Sequence, residues 1–168
     1  KAEGGEQALS HKEYLAFLHL ILDTDCADLL DIEFFTAGAD LPKLVEQAHS
    51  AGVAVVCSSH DFAKTPPRAK LVSRMVQMQQ AGADLPKLAV MPRCRSDVLE
   101  LLAATAEMAD HHPETPVITM SMGALGAVSR LAGETFGSAM TFANPGQASA
   151  PGQVSLNIVN EVLNALHL

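Results

Sequence analysis

Two lysines of this chain occur in the same octapeptide, and the residues that follow them predict different chemistry. Ala-Gly-Ala-Asp-Leu-Pro-Lys-Leu occurs at 37–44 and again at 81–88. Lys43 is followed by Val-Glu-Gln-Ala-His-Ser, a mixed polar run that is typical of an exposed helix. Lys87 is followed by Ala-Val-Met-Pro and therefore lies in a short apolar run. Such a run indicates a strand that is buried on both faces.

Burial at this position would give Lys87 the chemistry of a nucleophile. A desolvated amine is costly to charge, and its usual use is a Schiff base with a carbonyl substrate. A surface lysine at a strand end is the commoner role, but the apolar context favours burial here. We therefore expect Lys87, and not Lys43, to carry chemistry.

His60 is the candidate proton carrier beside this lysine. It follows the predicted strand Val53–Ser58 in the sequence Ser-Ser-His-Asp-Phe. Strand periodicity places Ser58 and His60 on one face and Lys87 and Ala89 on one face of the next strand. If both faces point inward, the histidine lies near the lysine and can exchange a proton near neutral pH. The alternative is a histidine that only caps the following turn.

Arg130 and two methionines are candidate substrate contacts. A guanidinium after the small-residue run that starts at Gly123 could bind a substrate carboxylate with two hydrogen bonds, although a salt bridge at a helix end is an equal alternative. Met120 and Met122 share one face of a predicted strand. We include them among the substrate contacts, although core packing is the commoner role of such residues.

A segment rich in small residues, Pro and Gly near the carboxyl terminus could close over a site. Ser149 and Gln153 lie in Gln-Ala-Ser-Ala-Pro-Gly-Gln, and such a segment can act as a lid. Pro-Gly-Gln also occurs at 145–147, so Gln147 competes with Gln153 for this role, and a plain linker is the alternative. No metal site is expected, because the pair His111-His112 has no evident third ligand.

Composition excludes several classes of function. The chain has 168 residues, of which 48% are hydrophobic and 18% charged, so we expect a globular protein with a core. The 19 acidic and 11 basic residues give a formal charge of −8, which argues against nucleic acid or an anionic membrane as a partner. Three cysteines without metal-type spacing, and the lack of a signal-peptide pattern, favour a reduced cytoplasmic setting.

Strand-like and helix-like segments alternate along the chain. Such alternation predicts parallel strands joined by right-handed helical crossovers. The candidate strands, five in all, are Leu29–Phe35, Val53–Ser58, Lys87–Met91, Val117–Met122 and 136–143. The candidate helices are 6–23, 40–50, 67–81, Ser96 (as the N-cap) to Met108, 124–132 and 153–167.

The predicted fold is α/β, as a single domain over residues 1–168. No Gly-x-Gly-x-x-Gly follows a strand, so a dinucleotide site is not supported. Polar residues follow the strand ends, where (β/α)8 barrels place their chemistry. A whole barrel takes about 250 residues. We therefore expect the carboxy-terminal portion of a barrel, without its amino-terminal strands.

Eight ordered motifs resemble type I 3-dehydroquinate dehydratase of the shikimate pathway. They are Glu-Gly-Gly (3–5), Asp-Ile-Glu (31–33), Ser-x-His-Asp-Phe with Thr65-Pro66, Lys-Leu-Ala-Val-Met-Pro (87–92), Ile-Thr-Met-Ser-Met-Gly (118–123), Ser-Arg-Leu-Ala-Gly (129–133), Phe-Gly-Ser-Ala (136–139) and Ala-Pro-Gly-Gln (150–153). The resemblance covers essentially the whole chain. It implies dehydration of 3-dehydroquinate to 3-dehydroshikimate without a cofactor, and a homodimer.

The resemblance also implies a role for each site residue. It places the Schiff-base lysine on Lys87 and the acid/base histidine on His60, with Glu3 as the residue that orients the histidine. The arginine that binds the substrate carboxylate falls on Arg130. The lid residues fall on Ser149 and on Gln153, which settles Gln153 over Gln147.

Two other functions remain open on the sequence. A class I aldolase-like Schiff-base lyase would need the same lysine with a different proton relay. A protein with an incomplete barrel could instead be inactive and act as an assembly partner. The family carries further strands before the first predicted strand, and a barrel without them would have an open sheet edge.

Overall fold

The computed structural model describes residues 9–146 and 150–166, and its centre is a four-stranded parallel sheet. The strands are β1 (Leu29–Glu33), β2 (Ala54–Asp61), β3 (Leu85–Val90) and β4 (Ile118–Ser121), and they lie side by side in chain order. The parallel pairing predicted from the alternation of segments is thus confirmed. All four carboxyl ends lie at one edge of the sheet, which is the edge where the candidate residues were expected.

Helices precede, connect and follow the strands. They are α1 (His11–Asp23), α2 (Phe34–Ala37), α3 (Leu41–Ser50), α4 (Arg68–Gln80), α5 (Arg95–His111), α6 (Ala127–Leu131) and α7 (Leu156–Leu166). No helix among the residues described is both long enough and apolar enough to cross a membrane. Ser10 begins α1 with a capping box, in which Glu13 accepts hydrogen bonds from the backbone and side chain of Ser10.

The expected fifth strand at 136–143 is wrong. A short 3₁₀ helix, Glu134–Phe136, occupies its start, and Gly137 then turns the chain at φ 94°. The segment pairs with the residue just before β4 through a parallel bridge between Val117 and Ser138. There the Ala139 amide donates to the Val117 carbonyl at 2.8 Å. The 3₁₀ helix and the turn at Gly137 therefore occupy the first residues of the predicted strand.

The predicted N-cap of α5 is also wrong. Cys94 occupies the cap, the helix begins at Arg95, and Ser96 lies within its first turn. Asp97 instead accepts the Arg93 amide at 2.7 Å, so a carboxylate in the first turn satisfies a donor that precedes the helix.

Both faces of the sheet are covered by apolar side chains. An outer layer packs the sheet against the helices and includes Val55, Leu88, Leu71 and Leu101. A smaller inner cluster lies on the opposite face and consists of Val56, Ala89, Ile118, Met120 and Met122. Burial on both faces explains the short apolar runs at 54–57 in β2 and at 88–90 in β3.

Candidate functional site

Lys87 lies in the middle of β3, on the face of the inner cluster. Its side chain is 10% exposed, and its Nζ donates to Asp31 Oδ2 at 2.7 Å. The ammonium also lies 4.9 Å from the centroid of the Phe142 ring, a distance at which the ring face attracts a cation. The amine is therefore held between a carboxylate and an aromatic ring, away from bulk water.

Three adjacent strands supply the surroundings of this amine. Ser58 on β2 is directly opposite Lys87 on β3, and Asp31 on β1 is opposite Val56. The fully buried Ser58 hydroxyl donates to Asp31 Oδ1 at 2.5 Å. Both carboxylate oxygens of Asp31 are thus engaged, one by Ser58 and one by Lys87.

No role for Asp31 or Ser58 follows from the sequence alone. The available signal was strand periodicity, because Asp31 alternates with the buried Leu30 and Ile32. A charged residue inside a five-residue strand points to a partner on the same face of the neighbouring strands. The register that brings Asp31 to Lys87 could be read only from the folded sheet.

The two copies of the octapeptide fold differently, as expected. Lys43 is exposed on α3, whereas Lys87 is buried in β3. The residues that follow determine the difference. After Lys43 the apolar residues recur with helical spacing, while after Lys87 they are contiguous and fill a strand.

His60 lies near the carboxyl end of β2, on the same face as Lys87. It is opposite Ala89, two positions beyond the pair Ser58 and Lys87, which is about 6–7 Å along a strand. The half-buried imidazole stacks on the Phe62 ring, with centroids 6.1 Å apart and an interplanar angle of 11°. The predicted common face of His60 and Lys87 is confirmed. Of the other expected site residues, Glu3 and Ser149 lie outside the described part of the chain.

Arg130 is buried in α6, with 1% of its surface exposed. Nη1 donates to Met120 Sδ at 3.5 Å and Nη2 to the Pro151 carbonyl at 3.3 Å. Nε has no hydrogen-bond partner among the residues described. Burial lowers the pKa of this guanidinium from its ordinary value. A buried cation with an unsatisfied donor is costly, and an anionic ligand would offset that cost.

The segment at 150–153 packs on the end of β4. The Pro151 carbonyl accepts the Gly123 amide at 3.1 Å in addition to Arg130 Nη2. Gly152 has φ 77°, and a Cβ there would collide with the Gly123 carbonyl oxygen, so glycine is required. The backbone of Gln153 bonds to Ala150, and its side chain is half-buried. This part of the predicted lid is therefore docked beside Arg130.

The two methionines are core residues of the inner cluster. Met120 and Met122 are 6% and 2% exposed, and both lie on the face of Lys87. Met120 also contacts Arg130 through its sulfur. No group of three His, Cys, Asp or Glu side chains in the described part of the chain could hold a metal ion.

The arrangement suits carbonyl chemistry on an anionic molecule. A buried amine can add to a carbonyl group, and a neighbouring imidazole can move a proton on an adjacent carbon. A guanidinium with an unsatisfied donor can bind a carboxylate. These groups lie on the inner face and at the carboxyl edge of the sheet.

Comparisons with known proteins agree with this arrangement. A family model described as Type I 3-dehydroquinase matches residues 1–168. The 3-dehydroquinate dehydratase of Salmonella agona (strain SL483) is 48% identical over 165 residues, which cover 98% of this chain and 66% of the relative. This chain spans just under two thirds of the length of that relative.

Solved structures show the same fold. The structure of Type I 3-dehydroquinate dehydratase from Clostridium difficile with covalent modified comenic acid has a TM-score of 0.93 at 48% identity, covering 98% of this chain and 65% of that one. The 3-dehydroquinate dehydratase of Geobacillus kaustophilus HTA426 has a TM-score of 0.92 at 41% identity, covering 98% and 63%. The β/α-barrel class predicted from the sequence is thereby confirmed.

Proposed function

Because the chain belongs to the type I 3-dehydroquinase family, we propose that it dehydrates 3-dehydroquinate to 3-dehydroshikimate through a Schiff base on Lys87. The observation that carries the proposal is the buried Lys87 amine, held at 2.7 Å from Asp31 on the inner face of the sheet. The product places the reaction in the shikimate pathway of aromatic amino-acid biosynthesis. The C. difficile relative, described with covalent modified comenic acid, offers a precedent for covalent modification in the family.

The reaction divides between Lys87 and His60. Lys87 attacks the ketone and forms an iminium, which acidifies the adjacent carbon because the enamine can take up the electron pair. His60 removes the proton from that carbon and later delivers a proton to the departing hydroxyl, which leaves as water. Glu3, outside the described residues, is proposed to orient His60.

Substrate binding is assigned to the other predicted residues. Arg130 pairs with the substrate carboxylate, since its Nε lacks a partner in the described chain. Gln153, two residues after Pro151 on the segment that contacts Arg130, and Ser149 bind from the lid. Met120 and Met122 pack against the apolar edge of the substrate. The chemistry proposed needs no cofactor.

We further propose that residues 1–168 form one domain of a cytoplasmic homodimer. The exposed thiols of Cys26 and Cys94 fit a reducing compartment. Light scattering coupled to size-exclusion chromatography measures the oligomeric state, and a monomer at micromolar concentration would contradict the dimer.

Borohydride reduction in the presence of 3-dehydroquinate, followed by peptide mass mapping, tests the assignment of the lysine. We expect label on Lys87 and none on Lys43, which is the matched control because it stands in the same octapeptide. A labelled Lys43, or turnover without any label, would disprove the Schiff-base assignment. Absence of both label and turnover would favour a non-catalytic binding partner.

A second test separates the two proton-transfer roles. We expect His60→Ala to lower turnover by about 10²–10⁴-fold, while the Lys87 adduct still forms because the amine is intact. Near-normal turnover in His60→Ala would show that another group moves the proton.

A further inference from the structure

Formation of a Schiff base at Lys87 requires proton transfers at the amine itself. A lysine ammonium carries three protons, the iminium nitrogen keeps one of them, and two leave with the carbonyl oxygen as water. Two protons must therefore travel from Nζ to the substrate oxygen. His60 lies two positions farther along the sheet than the pair Ser58 and Lys87.

Asp31 is the described acidic side chain in direct contact with the amine. Its Oδ2 accepts a hydrogen bond from Nζ at 2.7 Å. The Asp31 side chain is 41% exposed, whereas that of Lys87 is 10% exposed. One end of the carboxylate thus faces the amine, while the side chain as a whole remains partly exposed.

Ser58 fixes the carboxylate in this position. Its hydroxyl is fully buried and donates to Oδ1 at 2.5 Å, which leaves Oδ2 for the amine. A serine hydroxyl has one proton to donate, so this bond uses its donor capacity. Because Ser58 is directly opposite Lys87 in the register of β2 and β3, the amine, carboxylate and hydroxyl are held by three paired strands.

We propose that Asp31 is the proton carrier for Schiff-base formation at Lys87, and that Ser58 is its positioning residue. This inference rests on the proposed function and adds a residue to the Schiff-base step. Asp31 accepts one proton from the ammonium, and the nitrogen lone pair then forms a bond to the carbonyl carbon while the C=O π pair moves to oxygen.

The remaining transfers return Asp31 to its starting state. Asp31 delivers its proton to the oxygen and takes a second proton from the nitrogen, which gives a neutral carbinolamine. It then protonates the hydroxyl, the carbon–oxygen bond breaks, and the nitrogen lone pair forms the iminium double bond as water leaves. The carboxylate is regenerated, and no other reactant is needed.

Rapid-quench trapping isolates this step. The chain is mixed with 3-dehydroquinate, quenched with borohydride after set times, and the Lys87 adduct is measured by mass spectrometry. We expect Asp31→Asn to form the adduct at least about 10²-fold more slowly, because the amide cannot shuttle protons. Asp28→Asn is the matched control: Asp28 is an exposed acid just before β1, and its variant should form the adduct at the normal rate.

A rescue experiment distinguishes proton transfer from a purely structural role. Added formate should accelerate adduct formation in Asp31→Ala, since a small carboxylic acid can occupy the vacated space, and should not accelerate it in the unaltered chain. Ser58→Ala should slow adduct formation less than Asp31→Asn does. Loss of an acid–base group typically slows a reaction by about 10²-fold or more. If Asp31→Asn formed the adduct within about twofold of the unaltered rate, the proposal would be overturned.

A second carbonyl compound tests the role of Asp31 independently of whether 3-dehydroquinate is the substrate. Glycolaldehyde with cyanoborohydride also labels a lysine through an iminium, and we expect labelling of Lys87 to be at least about tenfold slower in Asp31→Asn. Equal labelling would overturn the role of Asp31. If glycolaldehyde forms an adduct and 3-dehydroquinate does not, the proposed function is wrong. The ratio of glycolaldehyde labelling rates in the unaltered protein and in Asp31→Asn still decides the role of Asp31.

Discussion

Lys87 and Arg130 are both buried cations, but their surroundings differ. The Lys87 ammonium has a carboxylate at 2.7 Å. Arg130 contacts a thioether and a backbone carbonyl, and within the described residues it forms no ion pair with a carboxylate. An uncompensated buried charge is costly. Within the described residues, Arg130 therefore lacks the anionic partner that Lys87 has in Asp31.

Arg130→Met should weaken substrate binding without loss of stability. A hydrogen bond to a charged group contributes about 1.5–3 kcal/mol, so KM for 3-dehydroquinate should rise about 10–100-fold. Methionine has a similar length and no charge to desolvate, so the free energy of unfolding in urea should stay the same or increase. A loss of stability with an unchanged KM would show that Arg130 is structural.

Tyr14 provides a test of pH dependence. Burial raises its pKa from 10.0 to about 12, although the Glu33 amide, which donates to the hydroxyl at 2.8 Å, opposes the shift. The folded state holds the phenol proton more tightly than the unfolded state, so this contribution to stability is complete below pH 10 and is lost as the pH rises to about 12.

Because Tyr14 is the only tyrosine in a chain without tryptophan, its ionisation can be followed directly by absorbance. We expect a midpoint well above 10. The free energy of unfolding should fall between pH 10 and 12, and this fall should be smaller in Tyr14→Phe. A phenol that titrates near 10 in the folded chain would contradict the burial of this group.

At the scale of elements, the segment after β4 is held at two points. Asn144 and Ser155 form a parallel bridge that closes its base, and Pro151 joins Gly123 to Arg130. The tight approach of Gly152 to Gly123 is what permits the second contact. The position of the Arg130 guanidinium therefore depends on this backbone.

Gly152→Ala should displace the segment and weaken substrate binding. The added Cβ would meet the Gly123 carbonyl, and φ is 77°. Strain of this kind costs about 1–3 kcal/mol, so we expect KM to rise about tenfold or more with a smaller change in kcat. Gly146→Ala is the control, because no atom lies within 4 Å of a Cβ there. Equal effects of the two variants would rule out a specific role for Gly152.

The sequence was most informative where apolar runs are contiguous or recur regularly. Lys87 and the common face of His60 could be predicted, because strand periodicity alone determines which face a side chain occupies. The prediction of a fifth strand was wrong because the chain turns at Gly137, within the segment that was expected to be extended. Asp31 was missed because its role depends on which strands pair and in what register, and those are tertiary properties.

At the scale of the whole molecule, the two faces of the sheet differ in the residues that they carry and in what those residues contact. The outer layer joins the sheet to the helices, while the inner face carries Lys87, Ser58 and Asp31. A substitution in the outer layer should therefore alter stability while the chemistry of each folded molecule stays the same.

Leu71→Ala tests this division. Leu71 is fully buried on α4, and such a truncation costs about 2–5 kcal/mol, a large part of the usual 5–15 kcal/mol for a domain. We expect the urea midpoint to fall while KM and turnover per folded molecule remain unchanged. Leu99→Ala, at a position that is 64% exposed on α5, should change the unfolding free energy by less than about 0.5 kcal/mol. A large change in KM for Leu71→Ala would show that the two faces are coupled.

The contact between Asp31 and Lys87 also bears on how the chain finds its fold. A slip of one residue in the pairing of β2 and β3 would turn Lys87 into the apolar outer layer, away from any partner on β1. A lone buried charge costs several kcal/mol, so the ammonium that we propose forms the Schiff base also selects against misaligned sheets. Lys87→Met removes that penalty. We expect faster hydrogen exchange of β3 amides in this variant than its overall stability would imply, and unchanged exchange would show that apolar packing alone selects the alignment.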